Sequence, residues 1–205
     1  MLRQYSKIFS VFRFSRKHNS YSAKKAAIIV PMFMDPMQTL RACDIHPSET
    51  VADFGAGAGF MARAAATLVP QGQVFAIEIN RDMVARVTRE VVQHHIQNLH
   101  VLWGDIEVPK GCQLENASVD FLILSNIMFQ LEDKQGCIQE VLRVLKPHGR
   151  VLLVDWSESF GGMGPAPTSV FSKPDAQVLF ARLGLTELPA MVPAGAHHYG
   201  ILFKR

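Results

Sequence analysis

The most informative part of this sequence is Val51-Ala52-Asp53-Phe54-Gly55-Ala56-Gly57-Ala58-Gly59-Phe60. Its pattern predicts a short β-strand that runs into a glycine turn and then into an alanine-rich helix. Because glycine tolerates positive φ and has no Cβ, a flat or bulky ligand can lie directly against the backbone of such a turn. We favour a ligand-binding turn, and the alternative is a tight strand-helix connection that binds nothing.

The spacing of the glycines argues against two common nucleotide-binding motifs. A dinucleotide-binding turn has the pattern G-x-G-x-x-G/A, which needs Gly or Ala where this chain has Phe60. A P-loop is excluded because no G-K-[ST] follows the turn. The turn is therefore not expected to bind a pyrophosphate, and a nicotinamide-dependent oxidoreductase is the weakest interpretation.

Acidic residues follow the next two predicted strands. Glu78 ends the strand at 73–78, where a carboxylate can accept hydrogen bonds from both hydroxyls of a ribose. The alternative for Glu78 is an exposed acid at the start of the following helix. Asp105 follows the strand at 99–103 and can accept from the exocyclic amine of adenine, with Ile106 packed on the ring. Together with the glycine turn, these residues predict a nucleoside site.

Short apolar runs alternate with helical patterns from residue 35 onward, which predicts an α/β fold with a parallel sheet covered by helices on both faces. Strands are predicted near 50–54, 73–78, 99–103, 119–124, 150–155, 186–191 and 197–204. Helices are predicted near 36–44, 58–69, 81–95, 133–145 and 173–183. Since open α/β sheets bind ligands at the carboxyl ends of their strands, the loops after the first four strands converge on one crevice.

The composition fits one domain with a substantial core. The chain has 205 residues, of which 48% are hydrophobic and 19% charged, so a disordered or collagen-like protein is excluded. Three dispersed cysteines, Cys43, Cys112 and Cys137, indicate neither a disulfide framework nor a zinc site, so we expect no metal and a reducing compartment.

An N-terminal arm, residues 1–25, carries seven basic side chains and no acid, whereas residues 26–205 are mildly acidic. The net charge of +3 therefore comes from the arm and does not argue for nucleic-acid binding by the whole protein. Three interpretations of the arm stay open: a poorly ordered extension, a mitochondrial transit peptide, and a helix that binds an anionic membrane surface. The expected location is accordingly cytoplasmic, or the mitochondrial matrix if the arm is a transit peptide.

The longest apolar run near the N-terminus is Ala26–Met34, nine residues that are interrupted by Pro31. A bilayer-spanning helix needs ~20 apolar residues. We therefore expect no transmembrane helix.

Five segments, taken in order, resemble the class I S-adenosylmethionine-dependent methyltransferases, in particular the type 11 group with quinone-biosynthesis and arsenite methyltransferases. They are D-F-G-A-G-A-G-F at 53–60, A-I-E at 76–78, G-D-I at 104–106, V-D-F-L-I-L-S-N at 119–126 and E-V-L-R-V-L-K-P-H-G-R-V-L-L-V-D-W at 140–156. The resemblance implies a methyltransferase domain over residues 26–205. It also implies a Rossmann-like three-layer sandwich whose seven-stranded sheet has the order 3-2-1-4-5-7-6, with the last strand antiparallel.

The same resemblance implies that S-adenosyl-L-methionine is the methyl donor. The glycines would line its methionine and ribose end, Glu78 would hold the ribose hydroxyls, and Asp53 would orient the turn. Ser125 or Asn126 would lie beside the methionyl amine. The full set of implied cofactor contacts is Asp53, Gly55, Gly57, Gly59, Glu78, Ile79, Asp105, Ile106, Ser125 and Asn126.

Methyl transfer from a sulfonium depends mainly on alignment, and a base matters only when the acceptor must lose a proton. If the last strand is antiparallel, its first residues lie at the edge where the methyl group is expected. We therefore predict that His197 or His198 faces the acceptor as a base or a substrate contact, and the alternative is that both are ordinary surface or core histidines.

The acceptor is expected to be a small, partly apolar molecule. Met128, Phe129 and Phe160 are expected nearby, and the Gly- and Pro-rich loop at 156–167 is either a lid over the acceptor or an inert surface loop. The sequence S-N-I-M at 125–128 replaces the N-P-P-Y of methyltransferases that act on planar amino groups, so base or glutamine methylation is not expected.

Two alternative functions stay open at this point. One is an RNA methyltransferase anchored by the basic arm, although we do not expect a nucleic-acid partner. The other is a regulatory subunit that binds S-adenosylmethionine without catalysis. Contact with a membrane surface through the arm is also left open.

Overall fold

The computed structural model of the protein describes residues 34–162 and 164–205. The predictions for the arm at 1–25 and most of the apolar run at 26–34 lie outside the described residues. None of the described helices is long and apolar enough to cross a membrane.

The described residues form a seven-stranded sheet of order β3-β2-β1-β4-β5-β7-β6. Strand β7 is antiparallel to both of its neighbours and every other pair is parallel, which confirms the predicted topology. The strands are β1 (Thr50–Phe54), β2 (Gln73–Glu78), β3 (Leu99–Trp103), β4 (Val119–Ser125), β5 (Leu145–Trp156), β6 (Thr186–Glu187) and β7 (His198–Lys204).

Within the described ranges, five α-helices accompany the sheet, and short 3-10 turns lie at Met128–Gln130 and Pro167–Ser169. The helices are α1 (Pro36–Arg41), α2 (Phe60–Leu68), α3 (Arg81–Gln93), α4 (Lys134–Val144) and α5 (Lys173–Arg182). Asn80 caps α3 by accepting hydrogen bonds from the backbone N–H groups of Asp82 and Met83. Helix α2 has no side-chain cap, since it begins after Gly59, the last glycine of the turn.

Two apolar clusters, one on each face of the sheet, produce the three layers. On one face, alanines of α2 such as Ala62 and Ala65 let that helix lie close to Val51 and Ile123. On the other face, the larger side chains of α4 and α5 pack on the sheet, with Phe180 stacked on Phe203 at 4.5 Å between ring centroids. Apolar burial of this kind contributes ~25 cal/mol per Å².

Two strands depart from the predicted bounds: β5 begins five residues earlier than predicted, at Leu145, and the strand before β7 is shorter than predicted. The strand expected at 186–191 is only Thr186–Glu187, and the segment between β6 and β7 is irregular. Pro189 and Pro193 explain this, because proline has no N–H to donate to a sheet ladder. Strand β7 begins at His198, so His197 is the last residue of the preceding loop.

Candidate active site

A cleft opens at the carboxyl edge of the sheet, between the glycine turn and the ends of β2 and β3. Five of the predicted cofactor contacts line it: Gly55, Glu78, Ile79, Asp105 and Ile106. Sequence reasoning did not include the other five lining residues, Ile77, Gly104, Glu107, Ile127 and Leu131. Ile127 and Leu131 come from the segment after β4. No sequence pattern indicates that this segment passes over the glycine turn.

The three glycines of the turn all have positive φ, but what a Cβ would meet differs among them. A Cβ on Gly55 would lie 2.7 Å from the side chain of Ile127, and one on Gly59 would lie 2.9 Å from Val87. A Cβ on Gly57 would meet nothing closer than a backbone oxygen at 4.0 Å. Gly55 and Gly59 therefore leave little room for a Cβ, whereas Gly57 has open space beside it, although only Gly55 of the three lines the cleft.

Glu78 holds the turn as well as lining the cleft. Its Oε2 accepts a hydrogen bond of 2.8 Å from the N–H of Gly57, and its Oε1 accepts one of 2.8 Å from Asn80 at the start of α3. A carboxylate has about four acceptor positions, so capacity is left on both oxygens. These two hydrogen bonds fix the Glu78 carboxylate at the end of β2, where it faces the cleft.

The far side of the cleft combines the apolar side chains of Ile79 and Ile106 with two acids, Asp105 and Glu107. Ile106 is buried, while Asp105 is partly buried and accepts one hydrogen bond of 2.9 Å from the N–H of Glu107. The side chain of Ile79 is 56% exposed, and its backbone is held by the indole N–H of Trp103, which donates to the Ile79 carbonyl at 2.8 Å. This side of the cleft can accept a flat ring with an amine at its rim.

Two buried oxygens near the end of β1 and β4 have no hydrogen-bond partner among the described residues: Asp53 Oδ2 and Asn126 Oδ1. Burial raises the pKa of Asp53 to about 7, the N–H of Ala62 opposes this shift, and the nearby charge of Glu78 adds to it. Buried polar atoms are nearly always paired. These two oxygens therefore mark a place where a hydrogen-bond donor can bind, although neither Asp53 nor Asn126 lines the cleft itself.

Asp155, at the end of β5, is a buried residue that sequence reasoning did not include. Its Oδ2 accepts from the N–H of Met128 at 3.0 Å, and its Oδ1 accepts from the N–H of Trp156 at 2.8 Å. Burial raises its pKa to about 6. Asp155 thereby fixes the loop that carries Asn126 and Ile127 over the turn.

The two predicted acceptor histidines lie at the same edge, but outside the cleft. His198 pairs with Trp156 across β5 and β7, and their rings lie 4.2 Å apart. His197 lies with its Nδ1 2.7 Å from Glu158 Oε1, and its ring stacks on Phe160 at 3.7 Å between centroids. Strands β4 and β5 separate them from the glycine turn, a span of roughly 14 Å at the usual strand spacing.

A family profile described as "Methyltransferase domain" matches residues 45–192. The chain belongs to this family. This methyltransferase domain is also similar to the crystal structure of an S-adenosylmethionine-dependent methyltransferase from Aquifex aeolicus. The TM-score is 0.75 at 25% identity, over 84% of this chain and 90% of that one. The resemblance to class I S-adenosylmethionine-dependent methyltransferases indicated by the sequence is confirmed.

Relatives of this methyltransferase domain carry different names. An arsenite methyltransferase of Halobacterium salinarum is 30% identical over 63% of this chain and 32% of its own length. Acetylserotonin O-methyltransferase of Mus musculus is 28% identical over 78% of this chain and 45% of its own. A ubiquinone/menaquinone biosynthesis C-methyltransferase of Pasteurella multocida is 27% identical over 58% of this chain and 44% of its own. The chain thus spans about half or less of these relatives.

Proposed function

We propose that this protein binds S-adenosylmethionine in the cleft and transfers its methyl group to a small, partly apolar acceptor. The observation that carries the proposal is the position of Glu78. Its carboxylate is held against Gly57, the open position of the turn, and shares one cleft with Asp105 and Ile106. Along the sheet edge, the carboxylates of Glu78 and Asp105 and the apolar side chain of Ile106 thus match a ribose joined to an adenine.

The residues of the cleft fit this methyl donor. S-adenosylmethionine supplies a methyl group already activated on a sulfonium sulfur. Glu78 accepts hydrogen bonds from the ribose hydroxyls, and Asp105 accepts one from the amine of adenine, with Ile79 and Ile106 against the ring. Because Asp53 Oδ2 and Asn126 Oδ1 lack partners among the described residues, we assign them to the ammonium end of the methionine.

A small acceptor is favoured by the side chains beyond the loop after β4. Phe160 presents a partly exposed aromatic ring at the same edge, and Phe129 is partly buried in that loop. The names of the relatives, which refer to arsenite, acetylserotonin and quinones, are consistent with small-molecule acceptors.

Calorimetric titration with S-adenosylmethionine and with its demethylated product, S-adenosylhomocysteine, tests the binding site. We expect both to bind, and we expect Glu78→Gln to weaken binding about tenfold or more, because hydrogen bonds to a charged group contribute ~1.5–3 kcal/mol. The matched control is Glu187→Gln on β6, an exposed glutamate whose side chain accepts a hydrogen bond from Gln177. No heat of association, or equal affinity in both variants, would contradict the proposal.

Incubation with methyl-labelled S-adenosylmethionine and fractionated cell extract tests the acceptor. Label in the small-molecule pool supports the proposal. Label in RNA that is lost on deletion of residues 1–25 would instead favour an RNA methyltransferase anchored by the arm. Tight donor binding with no label in any fraction would favour a regulatory subunit.

A further inference from the structure

The His197 ring is fixed in orientation by two contacts on different sides. Its Nδ1 lies 2.7 Å from Glu158 Oε1, and its ring face lies 3.7 Å from the Phe160 centroid with 17° between the planes. Because an ionised carboxylate only accepts hydrogen bonds, the proton of this pair lies on Nδ1. The other nitrogen, Nε2, then has a lone pair in the neutral ring, and no described residue bonds to it.

The neighbouring His198 has a different environment. Neither of its ring nitrogens has a partner among the described residues, and both are buried. Burial and, to a smaller extent, the adjacent His197 lower its pKa to about 4. With both ring nitrogens buried and its ring against Trp156, His198 is not suited to accept a proton from the acceptor.

The order of the cleft residues along the sheet edge indicates where the methyl acceptor lies relative to His197. Asp105, Glu78 and Gly55 follow β3, β2 and β1 in that order, so a donor with its adenine at Asp105 points its methyl group towards β4. The next strands along that edge are β5 and β7, which carry the His197–Glu158 pair. The acceptor therefore has to lie between the end of β4 and this pair.

We propose that Glu158 positions His197 so that its Nε2 removes the proton from an ionisable hydroxyl on a planar acceptor, held beside Phe160. The inference rests on the proposed function. A hydroxyl is the group that needs a base here, because a neutral hydroxyl is a poor nucleophile until its proton leaves. The partly exposed ring of Phe160, stacked beside His197, favours a flat ring as the carrier of this hydroxyl.

The step balances without a further reactant. The acceptor O–H bond breaks and its proton moves to His197 Nε2, while the oxygen forms a bond to the methyl carbon. The bond between that carbon and the sulfonium sulfur breaks, its electron pair stays on sulfur, and S-adenosylhomocysteine leaves. Glu158 stabilises the imidazolium that results, which then returns its proton to water.

The titratable groups near His197 come from two elements. Glu158 belongs to the segment after β5, and Asp155 lies at the end of β5, where it pairs with Tyr199 of β7. His198 is the next residue of the chain. Since Asp155 bonds the backbone of the loop after β4 and Tyr199 donates to the Phe171 carbonyl, Glu158 is the acid that contacts His197 directly.

The test uses methyl-labelled S-adenosylmethionine with two probes, phenol and 4-nitrophenol, at pH 6 to 9. We expect methyl transfer to both. His197→Gln should lower kcat/KM for phenol about 100-fold, and Glu158→Gln about tenfold, with a smaller loss for 4-nitrophenol, which ionises without help near pH 8. Glu158→Asp should recover part of the activity, and Glu187→Gln, far from this edge, should match the unchanged protein.

Nitrogen NMR of the imidazoles gives a readout that does not depend on turnover. In the unchanged protein the His197 signals should show a proton on Nδ1, and in Glu158→Gln this preference should be lost. The inference would be overturned if the variants lost kcat/KM equally for both phenols at every pH, or if the His197 tautomer were unchanged in Glu158→Gln. Glu158 would then have a structural role only. If neither phenol is methylated while donor binding is intact, the inference fails and the proposed function stands. If the donor does not bind, both fail.

Discussion

At the scale of single residues, Asp53 is an unusual choice for the interior of β1. It is 1% exposed, its Oδ2 has no partner among the described residues, and its pKa is raised to about 7 by burial. The folded protein therefore keeps a proton that the unfolded chain loses near pH 4, the ordinary value for Asp. Stability from this group is complete below about pH 4 and is lost as the pH rises towards 7.

Asp53→Asn removes this titration while keeping the shape of the side chain. Relative to the variant, the unchanged protein should lose roughly 2 kcal/mol of unfolding free energy between pH 5 and pH 8. Asp155 titrates in both proteins, so its contribution cancels in the comparison. Urea unfolding at the two pH values measures the difference. Parallel stability curves would show that Asp53 is ionised in the folded state.

At the scale of elements, Glu140 connects α4 to the loop that carries Asp105. The buried Glu140 carboxylate accepts hydrogen bonds from Arg143 at 2.8 Å and from the N–H groups of Lys110 at 3.0 Å and Cys112 at 3.4 Å. Burial alone acts to raise its pKa, but the hydrogen bonds from Arg143, Cys112 and Lys110 outweigh it and lower the pKa to about 2. The ionised form is therefore part of the fold.

Glu140→Gln leaves Arg143 without its partner, and removing one member of a buried pair costs about 3–5 kcal/mol. Chemical denaturation should show this loss, and calorimetry should show weaker S-adenosylmethionine binding through the loosened loop at Asp105. The comparison variant is Glu90→Gln, whose partners Arg63 and Arg86 lie on the surface, with an expected loss below about 1 kcal/mol. Equal losses in the two variants would contradict the role assigned to Glu140.

Most helices and strands were predictable from the sequence. A buried parallel strand is a continuous run of apolar residues, and an amphipathic helix has apolar residues at intervals of three or four. The last strands were not, since Pro189 and Pro193 interrupt an apolar pattern that otherwise fits a strand. The site was predictable where it follows directly from a strand, as at Glu78 and Asp105. Ile127 and Glu158 were missed because their positions depend on how loops return over the sheet.

The glycine turn shows the same limit within one motif. The sequence predicts ligand access at all three glycines, whereas the structure requires Gly55 and Gly59 for contact with Ile127 and Val87. These contacts come from the loop after β4 and from α3, which are distant in the chain. A sequence pattern identifies positions without a Cβ, but only the tertiary structure distinguishes space for a ligand from space for a neighbouring side chain.

At the scale of the whole molecule, the cleft takes residues from the ends of β1, β2 and β3 and from the loop after β4, and both apolar clusters extend across the sheet to β7. A ligand in the cleft should therefore stabilise the described domain as one cooperative unit. S-adenosylhomocysteine at 100 times its Kd should add ~2.7 kcal/mol. For a chain of this size that corresponds to a rise in Tm of roughly 5–10 °C.

Thermal unfolding followed by circular dichroism measures this shift, and S-adenosylhomocysteine is used because it cannot be turned over. We expect a single transition that moves as a whole, and a smaller shift for Glu78→Gln at the same ligand concentration, since that variant binds less of it. Methionine alone, which lacks the ribose and adenine, should leave the Tm unchanged. Two transitions, of which only one responds to the ligand, would mean that the β5–β7 side of the sheet unfolds independently. The position of the acceptor edge relative to the donor cleft would then not be fixed by the fold.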